Sequence, residues 1–233
     1  EAEKSNKFKS EFLAQMSHEI RTPISTIISF TSLLQEQVQD NLPEEFEDTF
    51  HIVNKAGRRI IRTIDTILEM SQLQTGNIEY KPEEFNLAEE ALEGIIDEFK
   101  FAAKSKNIQL SFNNHSGVKT IFADKYMVNQ IFQNLLDNAL KYTLKGSVSV
   151  TQFINFEGNI AVTVEDTGVG MSDDYMKKVF SPFVQEESGY TRKFEGNGLG
   201  LAIVKKYIEI NNASIEVESK KEKGSKFTVT FSK

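Results

Sequence analysis

Apolar residues recur every three or four positions through the first ~75 residues, which is the periodicity of amphipathic helices. Two such stripes follow one another, and the segment QDNLPEE between them supplies a turn and a new helix start. The pattern predicts a helical hairpin with arms of roughly 35 residues. Because one hairpin cannot cover both stripes, it also predicts a homodimer that forms a four-helix bundle. The stripes consist of Phe8, Phe12, Met16, Ile20, Ile24, Ile27, Leu34 and Val38, then Phe46, Phe50, Val53, Ile60, Ile64, Ile67, Met70 and Leu73.

The helical rhythm ends at TGNIEYKP, and the rest of the chain has a mixed pattern. Asn86 and Glu89 are spaced as a capping box for a helix that continues to about Lys104. We therefore predict two domains, a helical hairpin at 1–76 and an α+β two-layer sandwich at 77–233. The predicted strands are 108–112, 147–154, 160–165, 215–219 and 226–231, and the predicted helices are 125–142 and 200–210.

Composition excludes several classes of function. The chain of 233 residues has no cysteine, so disulfides and thiolate metal sites are excluded, and its three histidines are too far apart for a zinc-binding pair. The net charge of −7 argues against a nucleic-acid surface. No apolar run reaches the ~18 residues that a membrane-spanning helix needs. The opening EAEKSNKFKS lacks the apolar core of a signal peptide. We expect a segment cut from a longer chain, without membrane contact of its own.

Three glycine-bearing loops are spread over the second domain: Asp166-Thr-Gly168-Val-Gly170, Gly196-Asn-Gly198-Leu-Gly200 and Lys223-Gly224-Ser225. Neither of the first two has the spacing of a P-loop or of a Rossmann fingerprint. The second loop opens a predicted helix, whose first N–H groups could hold phosphate. The Asp166 carboxylate follows a predicted strand and could accept a hydrogen bond from an adenine amino group. A plain Asp-Thr-Gly turn is the alternative interpretation of that residue.

One face of the predicted helix 125–142 carries Asn134, Asn138 and Lys141, with Tyr142 at its border. Asparagine is a poor helix former, so two on one stripe indicate a role. Their amide oxygens could coordinate Mg²⁺, and Lys141 could neutralise a phosphate. A solvated polar face is the alternative interpretation.

The stretch between the first two glycine loops contains Phe180-Ser-Pro-Phe183, followed by the polar segment EESGYTRKFEG. Exposed phenylalanines beside a polar loop suit a lid that closes over a nucleotide. Two ordinary core aromatic residues beneath a long loop are the alternative.

In the hairpin, the segment SHEIRTP places His18 and Thr22 four residues apart, on the same helix face. We expect His18 to be exposed and largely neutral and nucleophilic at pH 7. Glu19 could accept the proton that is released when an imidazole nitrogen attacks phosphorus. Pro23 removes a backbone hydrogen bond one turn later and should kink or loosen the helix. A solvated polar turn is the alternative interpretation.

Taken together, these segments resemble the sensor histidine kinases of two-component signalling. FLAQMSHEIRTPI is similar to the H-box of that family, NLLDNALKYT to its N-box and DTGVG to its first glycine box. SPF, GNGLGLAI and KGSKFTVTF are similar to its F-box, its second glycine box and its last glycine-bearing segment. All six occur in the order of the family, and the resemblance covers nearly the whole chain.

The resemblance implies a dimerisation and histidine-phosphotransfer hairpin, followed by a catalytic ATP-binding domain of the Bergerat (GHKL) type that uses ATP and Mg²⁺. It implies that His18 accepts the phosphoryl group, that Glu19 acts as general base, and that Thr22 orients water in a phosphatase reaction. It implies that Asn138 is the principal Mg²⁺ ligand, with Asn134 assisting. The nucleotide-binding residues it implies are Asn134, Asn138, Lys141, Tyr142, Asp166, Gly168, Gly170, Arg192, Gly196, Gly198, Leu199 and Gly200.

The partners that the resemblance implies are a second copy of the chain, the receiver domain of a response regulator, and a sensor module upstream. It also implies a cytoplasmic location for this segment. Two positions depart from the family pattern. Asn211-Asn212-Ala213 stands where glycine is common, and Asn197 replaces a more usual small residue.

Two other functions remain compatible with these motifs. The chain could act chiefly as a phosphatase of its regulator, or as a dimeric interaction module with a vestigial nucleotide site. An ATPase of the gyrase or chaperone type ranks last, because such proteins lack the helix that carries His18.

Overall fold

The computed structural model describes residues 2–38, 44–76, 78–117, 119–186 and 196–232. The chain forms two compact units, Glu1–Ile78 and Glu79–Lys233. Most of the predicted QDNLPEE turn, and the side chains of Phe8, Phe12, Val38 and Phe46, lie outside the described residues.

The first unit is a helical hairpin, as the periodicity predicted. Helix α1 spans Ala2–Val38 and continues through Pro23, and helix α2 spans Glu44–Thr75. The two helices come close at Gly57, where a β-carbon would lie 2.7 Å from Cγ1 of Ile28. Glycine therefore sets how near the helices pack at this crossing.

Much of the apolar surface of the hairpin is uncovered. Met70 and Leu73, near the end of α2, are buried. Most of the described stripe residues before them are half-buried or exposed, and this surface is what a second hairpin would cover. The exposed large apolar residues of the hairpin are Met16, Ile27, Phe30, Leu33, Leu34, Ile52, Val53 and Ile60.

The second unit is built on a five-stranded sheet in the order β2-β4-β5-β7-β6, in which only the β2–β4 pair is parallel. These strands are β2 Ile108–Asn114, β4 Gly146–Ile154, β5 Ile160–Asp166, β6 Ala213–Lys220 and β7 Gly224–Phe231. Strands β1 Pro82–Asn86 and β3 Thr120–Asp124 form a separate antiparallel pair. The helices are α3 Glu93–Ser105, α4 Lys125–Tyr142, α5 Asp173–Met176 and α6 Gly200–Ile210.

The sheet has one apolar face and one polar face, as expected of a two-layer sandwich. Val148, Val162 and Val229 are fully buried on the face that the helices cover. The other face carries hydroxyl and charged side chains, including Thr163 and Thr228, whose hydroxyls lie 3.1 Å apart. The predicted fold class is confirmed. In the part of the chain that the structure describes, no helix is both long and apolar enough to cross a membrane.

The five predicted strands and the helices at 125–142 and 200–210 are all present, but strands β1 and β3 and the short helix α5 were missed. The predicted capping box of Asn86 and Glu89 is wrong in its second residue. Asn86 Oδ1 accepts from the N–H of Ala88 at 3.1 Å, as a cap should, but the Asn86 N–H donates to Glu90 at 3.0 Å rather than to Glu89. Residues Ala88–Leu92 are π-helical, and the extra residue in that turn shifts the reciprocal partner by one position.

Candidate active site

The first glycine loop follows β5 and begins at Asp166, the last residue of that strand. The Asp166 side chain is buried, and its Oδ1 accepts a hydrogen bond from the N–H of Gly168 at 2.8 Å. The N–H of Val169 donates to the carbonyl oxygen of Tyr142 at 3.2 Å, which ties the loop to the end of α4. A β-carbon at Gly168 would overlap that carbonyl group, so only glycine allows this approach.

The environment of Asp166 is unusual for a carboxylate. Burial raises the pKa of the Asp166 carboxyl above its ordinary value, and the N–H groups of Gly168 and Ser225 only partly offset this. A buried carboxylate is stabilised by any further donor, such as the amino group of a bound purine.

The third glycine loop packs against the first. Gly224 has φ +95°, and a β-carbon there would overlap the carbonyl group of Asp166. On the other side, a β-carbon at Gly170 would overlap the carbonyl group of Lys220. The two loops therefore pack backbone against backbone, which holds the end of β5 in place.

The second glycine loop leads directly into α6. The Asn197 side chain accepts a hydrogen bond from the N–H of Leu199 at 3.1 Å, so this departure from the family pattern stabilises the turn before the helix. Leu199 has no exposed surface, so its side chain packs inside the second unit. No side chain caps the start of α6 in the described residues, and its first N–H groups are suited to an anion.

Lys141 stands beside this loop. Its Nζ donates to the hydroxyl oxygen of Tyr142 at 3.0 Å and lies 4.5 Å from the centre of that ring. A β-carbon at Gly196 would lie 2.9 Å from the same Nζ. The ammonium group is thus held next to the entrance of the second glycine loop, where an anionic ligand would be favoured.

The predicted asparagine face of α4 also meets the loop. Asn134 Nδ2 donates to the carbonyl oxygen of Gln130 at 2.9 Å. The Asn134 Oδ1 lies 2.8 Å from the position that a β-carbon of Gly200 would take. Asn138 follows one turn later and is half-buried. The Asn134 amide and the start of α6 therefore border one space, and Asn138 lies one turn farther along α4.

The two phenylalanines near the predicted lid differ in environment. Phe183 is exposed and has φ +63°, and its N–H donates to the carbonyl oxygen of Gly198 at 2.9 Å. Phe180 is half-buried, with Lys205 Nζ 5.9 Å from its ring centre. Residues 187–195 of the predicted lid, including Arg192, lie outside the described residues.

Sequence reasoning missed two residues near this site. The Glu186 carboxylate accepts from the N–H of Ser172 and pairs with Lys221, both at 2.9 Å. Burial alone would raise the pKa of the Glu186 carboxyl, but Lys221 and Ser172 outweigh burial and lower it. Burial, with Tyr142 and Glu186 nearby, raises the pKa of Tyr175 to about 12. No local pattern marks either residue, because their partners are distant in sequence.

These groups fit a purine nucleotide bound with a divalent cation. Asp166 is a buried acceptor for a base, while Lys141 and the start of α6 suit phosphates. Amide oxygens such as those of Asn134 and Asn138 are ligands that Mg²⁺ accepts. The described residues contain no cluster of three or more histidine, aspartate or glutamate side chains that could hold a metal ion by themselves.

The residues around His18 occupy α1 of the first unit. Ser17 is buried, whereas His18, Glu19 and Thr22 are exposed, as predicted for His18. The Thr22 hydroxyl donates to the carbonyl oxygen of His18 at 3.0 Å, which ties the two residues along one helix face. One turn from His18, Arg21 forms an ion pair with Asp65 of α2.

Family models match both units. Residues 8–76 match the His Kinase A (phospho-acceptor) domain. Residues 123–233 match the family described as Histidine kinase-, DNA gyrase B-, and HSP90-like ATPase. The fold and the site thus define a phospho-acceptor hairpin joined to an ATP-binding domain.

Similar proteins agree with this assignment. Autoinducer 2 sensor kinase/phosphatase LuxQ of Vibrio parahaemolyticus is 35% identical over 99% of this chain and 27% of LuxQ. Hybrid signal transduction histidine kinase A of Dictyostelium discoideum is 35% identical over 97% of this chain and 11% of that protein. The crystal structure of full-length ShkA in complex with AMPPNP has a TM-score of 0.79 at 27% identity, covering 95% of this chain and 45% of ShkA.

The chain therefore belongs to the sensor histidine kinases, and the family resemblance is confirmed. It spans less than half the length of each of these relatives.

Proposed function

We propose that this chain is an ATP-dependent protein histidine autokinase. It transfers the γ-phosphoryl group of ATP to His18 and passes that group to an aspartate in the receiver domain of a response regulator. The observation that carries the proposal is the pairing, in one chain, of an exposed histidine on a phospho-acceptor helix with a buried carboxylate and glycine loops of an ATP-binding domain.

The transfer step forms a bond from an imidazole nitrogen of His18 to the γ-phosphorus and breaks the bond from that phosphorus to the bridging oxygen, so that ADP leaves. The imidazole loses a proton as its positive charge is neutralised, and Glu19 accepts it. Because His18 and the nucleotide site belong to different units, the reaction requires the two units to meet.

The residues of the second unit have separate roles in this proposal. Asp166 selects adenine, with the backbone of Gly168 and Gly170 shaping its loop. Lys141, Tyr142, Arg192 and the backbone from Gly196 through Leu199 to Gly200 contact ribose and phosphates. Asn138, assisted by Asn134, holds Mg²⁺, which when bound neutralises charge on the phosphate oxygens. The close approach of Asn134 to Gly200 supports these roles, since the proposed cation ligand and the start of the proposed phosphate-binding helix then adjoin the same space.

The same hairpin supports two further parts of the proposal. The uncovered apolar side chains of α1 and α2 favour a homodimer. LuxQ carries the name sensor kinase/phosphatase, and Thr22 lies one turn from His18 on the same face. We therefore include dephosphorylation of the regulator, with Thr22 orienting the attacking water, and a sensor module upstream.

The test is incubation of the purified chain with γ-labelled ATP and Mg²⁺, followed by acid or alkali. Label on His18 is lost in acid and kept in alkali. The variant His18→Gln should incorporate no label while still binding nucleotide, and His115→Gln, at another exposed histidine, should be labelled normally. Equal labelling of His18→Gln would exclude the assignment, and nucleotide binding without any label would favour a phosphatase or an interaction module.

A further inference from the structure

The side chain of Asn211, just after α6, is buried and fully hydrogen-bonded. Its Oδ1 accepts from the N–H of Asp124 at 2.8 Å, and its Nδ2 donates to the carbonyl oxygen of Tyr207 at 2.8 Å. The same nitrogen lies 3.6 Å from Sδ of Met127. Because the Asp124 N–H can only donate, the amide oxygen of Asn211 must face it, and the amide nitrogen faces Tyr207 and Met127.

Asp124, the partner of Asn211, makes two further hydrogen bonds with its side chain. It caps the start of α4, since its Oδ1 accepts from the N–H of Met127 at 3.0 Å. Its Oδ2 accepts from the N–H of Lys81 at 2.8 Å, at the beginning of the second unit. The Asn211 amide thus joins the end of α6 to the start of α4 and to the segment that leads in from the hairpin.

Helices α4 and α6 run in opposite directions, and their other ends carry the nucleotide site. Lys141 and Asn134 of α4 lie beside Gly196 and Gly200 at the start of α6. We propose that Asn211 is a positioning residue that sets the spacing between the asparagine face of α4 and the first N–H groups of α6. This inference rests on the proposed nucleotide site.

The hydrogen bonds of the Asn211 side chain, called here the Asn211 clamp, act on the far end of α6 through the length of that helix. The helix has 11 residues and is therefore about 16 Å long. A tilt of a few degrees at Asn211 moves the opposite end by about 1 Å, and a misplacement of that size can cost about 100-fold in a positioned reaction. A ligand that contacts both helices is sensitive to such a tilt, whereas one that contacts only Asp166 and its loop is not.

The neighbouring residue provides a matched control. Asn212 has φ +50°, its side chain is exposed, and its N–H ends α6 by donating to the carbonyl oxygen of Glu209 at 3.2 Å. Asn212→Ala disfavours the left-handed conformation and so lowers the melting temperature. It leaves the contact with Asp124 in place, so it tests loss of stability without loss of the clamp.

The experiment measures binding of two probes to the full chain by calorimetry. In the proposed site, adenylyl imidodiphosphate with Mg²⁺ contacts both helices, and adenosine, measured by competition, contacts Asp166 and its loop. Asn211→Leu should weaken binding of the first probe by about tenfold or more and change adenosine affinity by less than about twofold. Asn212→Ala should leave both affinities within about twofold of wild type.

Three outcomes overturn the inference. If Asn211→Leu binds both probes as wild type does, the amide does not position the site. If it weakens both probes equally, or if Asn212→Ala reproduces its effect, the amide is only structural. Should Asn211→Leu not fold, Asn211→Ala replaces it, because the smaller side chain leaves room for a water to pair with the Asp124 N–H. The affinities of this variant for the two probes are then compared with those of wild type in the same way. A wild-type chain that binds neither probe would instead overturn the nucleotide site itself.

Discussion

Gly200, the first residue of α6, faces the amide oxygen of Asn134 on α4, and a β-carbon at residue 200 would lie 2.8 Å from that oxygen. The Asn134 amide cannot turn away freely, because its nitrogen donates to the carbonyl oxygen of Gln130. A side chain at position 200 therefore competes with the amide oxygen for the same space.

We expect Gly200→Ala to lower the affinity for Mg²⁺-nucleotide by about tenfold while changing the free energy of unfolding by less than about 1 kcal/mol. The displaced amide weakens the proposed cation site, whereas alanine is favourable in a helix. Calorimetric titration and urea unfolding measure the two quantities. Gly94→Ala on α3, where a β-carbon meets no atom within 4 Å, is the control and should leave affinity unchanged.

The second prediction concerns the pH dependence that Asp166 gives to stability. Burial raises the pKa of its carboxyl above the ordinary 3.8. The folded chain then binds this proton more tightly than the unfolded chain, so the stability from this group is complete below the unfolded pKa and is lost as the pH rises through the folded pKa. Asp166→Asn, which has no such proton, should gain stability relative to wild type as the pH rises, and the difference should level off above the folded pKa.

Urea unfolding without nucleotide, at several values between about pH 4 and pH 7, measures this difference. The same variant should bind nucleotide about 10- to 100-fold more weakly, because a hydrogen bond to a charged group is lost. A flat difference for Asp166→Asn would contradict the prediction.

The third prediction separates the two proposed activities of the hairpin. Thr22→Ala should reduce dephosphorylation of a phosphorylated receiver domain by at least about tenfold and change His18 autophosphorylation by less than about threefold. The reason is that Thr22 orients water only in the hydrolytic reaction. Release of labelled phosphate from the receiver and incorporation of label into His18 are the two measurements.

Thr26→Ala is the matched control, because the Thr26 hydroxyl donates to the carbonyl oxygen of Thr22 at 2.9 Å in the same pattern, one turn farther on. It should leave both reactions nearly unchanged. If both threonine variants lose phosphatase activity equally, the effect comes from the helix backbone rather than from water at Thr22.

The fourth prediction concerns the packing of α1 on α2. Gly57→Ala should lower the free energy of unfolding by about 1–3 kcal/mol, because the new methyl group would overlap Cγ1 and Cδ1 of Ile28. In the Ile28→Ala background the same substitution should be neutral or stabilising, since alanine favours a helix. Chemical unfolding of the four chains gives the coupling energy, and simple additivity would show that the two side chains do not meet.

Much of this architecture could be predicted from the sequence. Helices α4 and α6 have the bounds that their apolar spacing predicted, and the strands follow the alternation of their residues. The motifs around His18 and Asp166 also identified the family. These features depend on residues only a few positions apart, so a short stretch of sequence is enough to predict each of them.

The relationships inside the site required the tertiary structure. Nothing local indicates that Asn134 faces Gly200 or that Asn211 joins Asp124, because 87 residues separate the latter pair. The π-helical turn that makes Glu90 the partner of Asn86 was equally hidden. The sequence by itself determined the elements and the chemical groups they carry. The packing of the whole chain decided which groups meet, because contacts between distant residues form only when many other contacts have brought the backbone together.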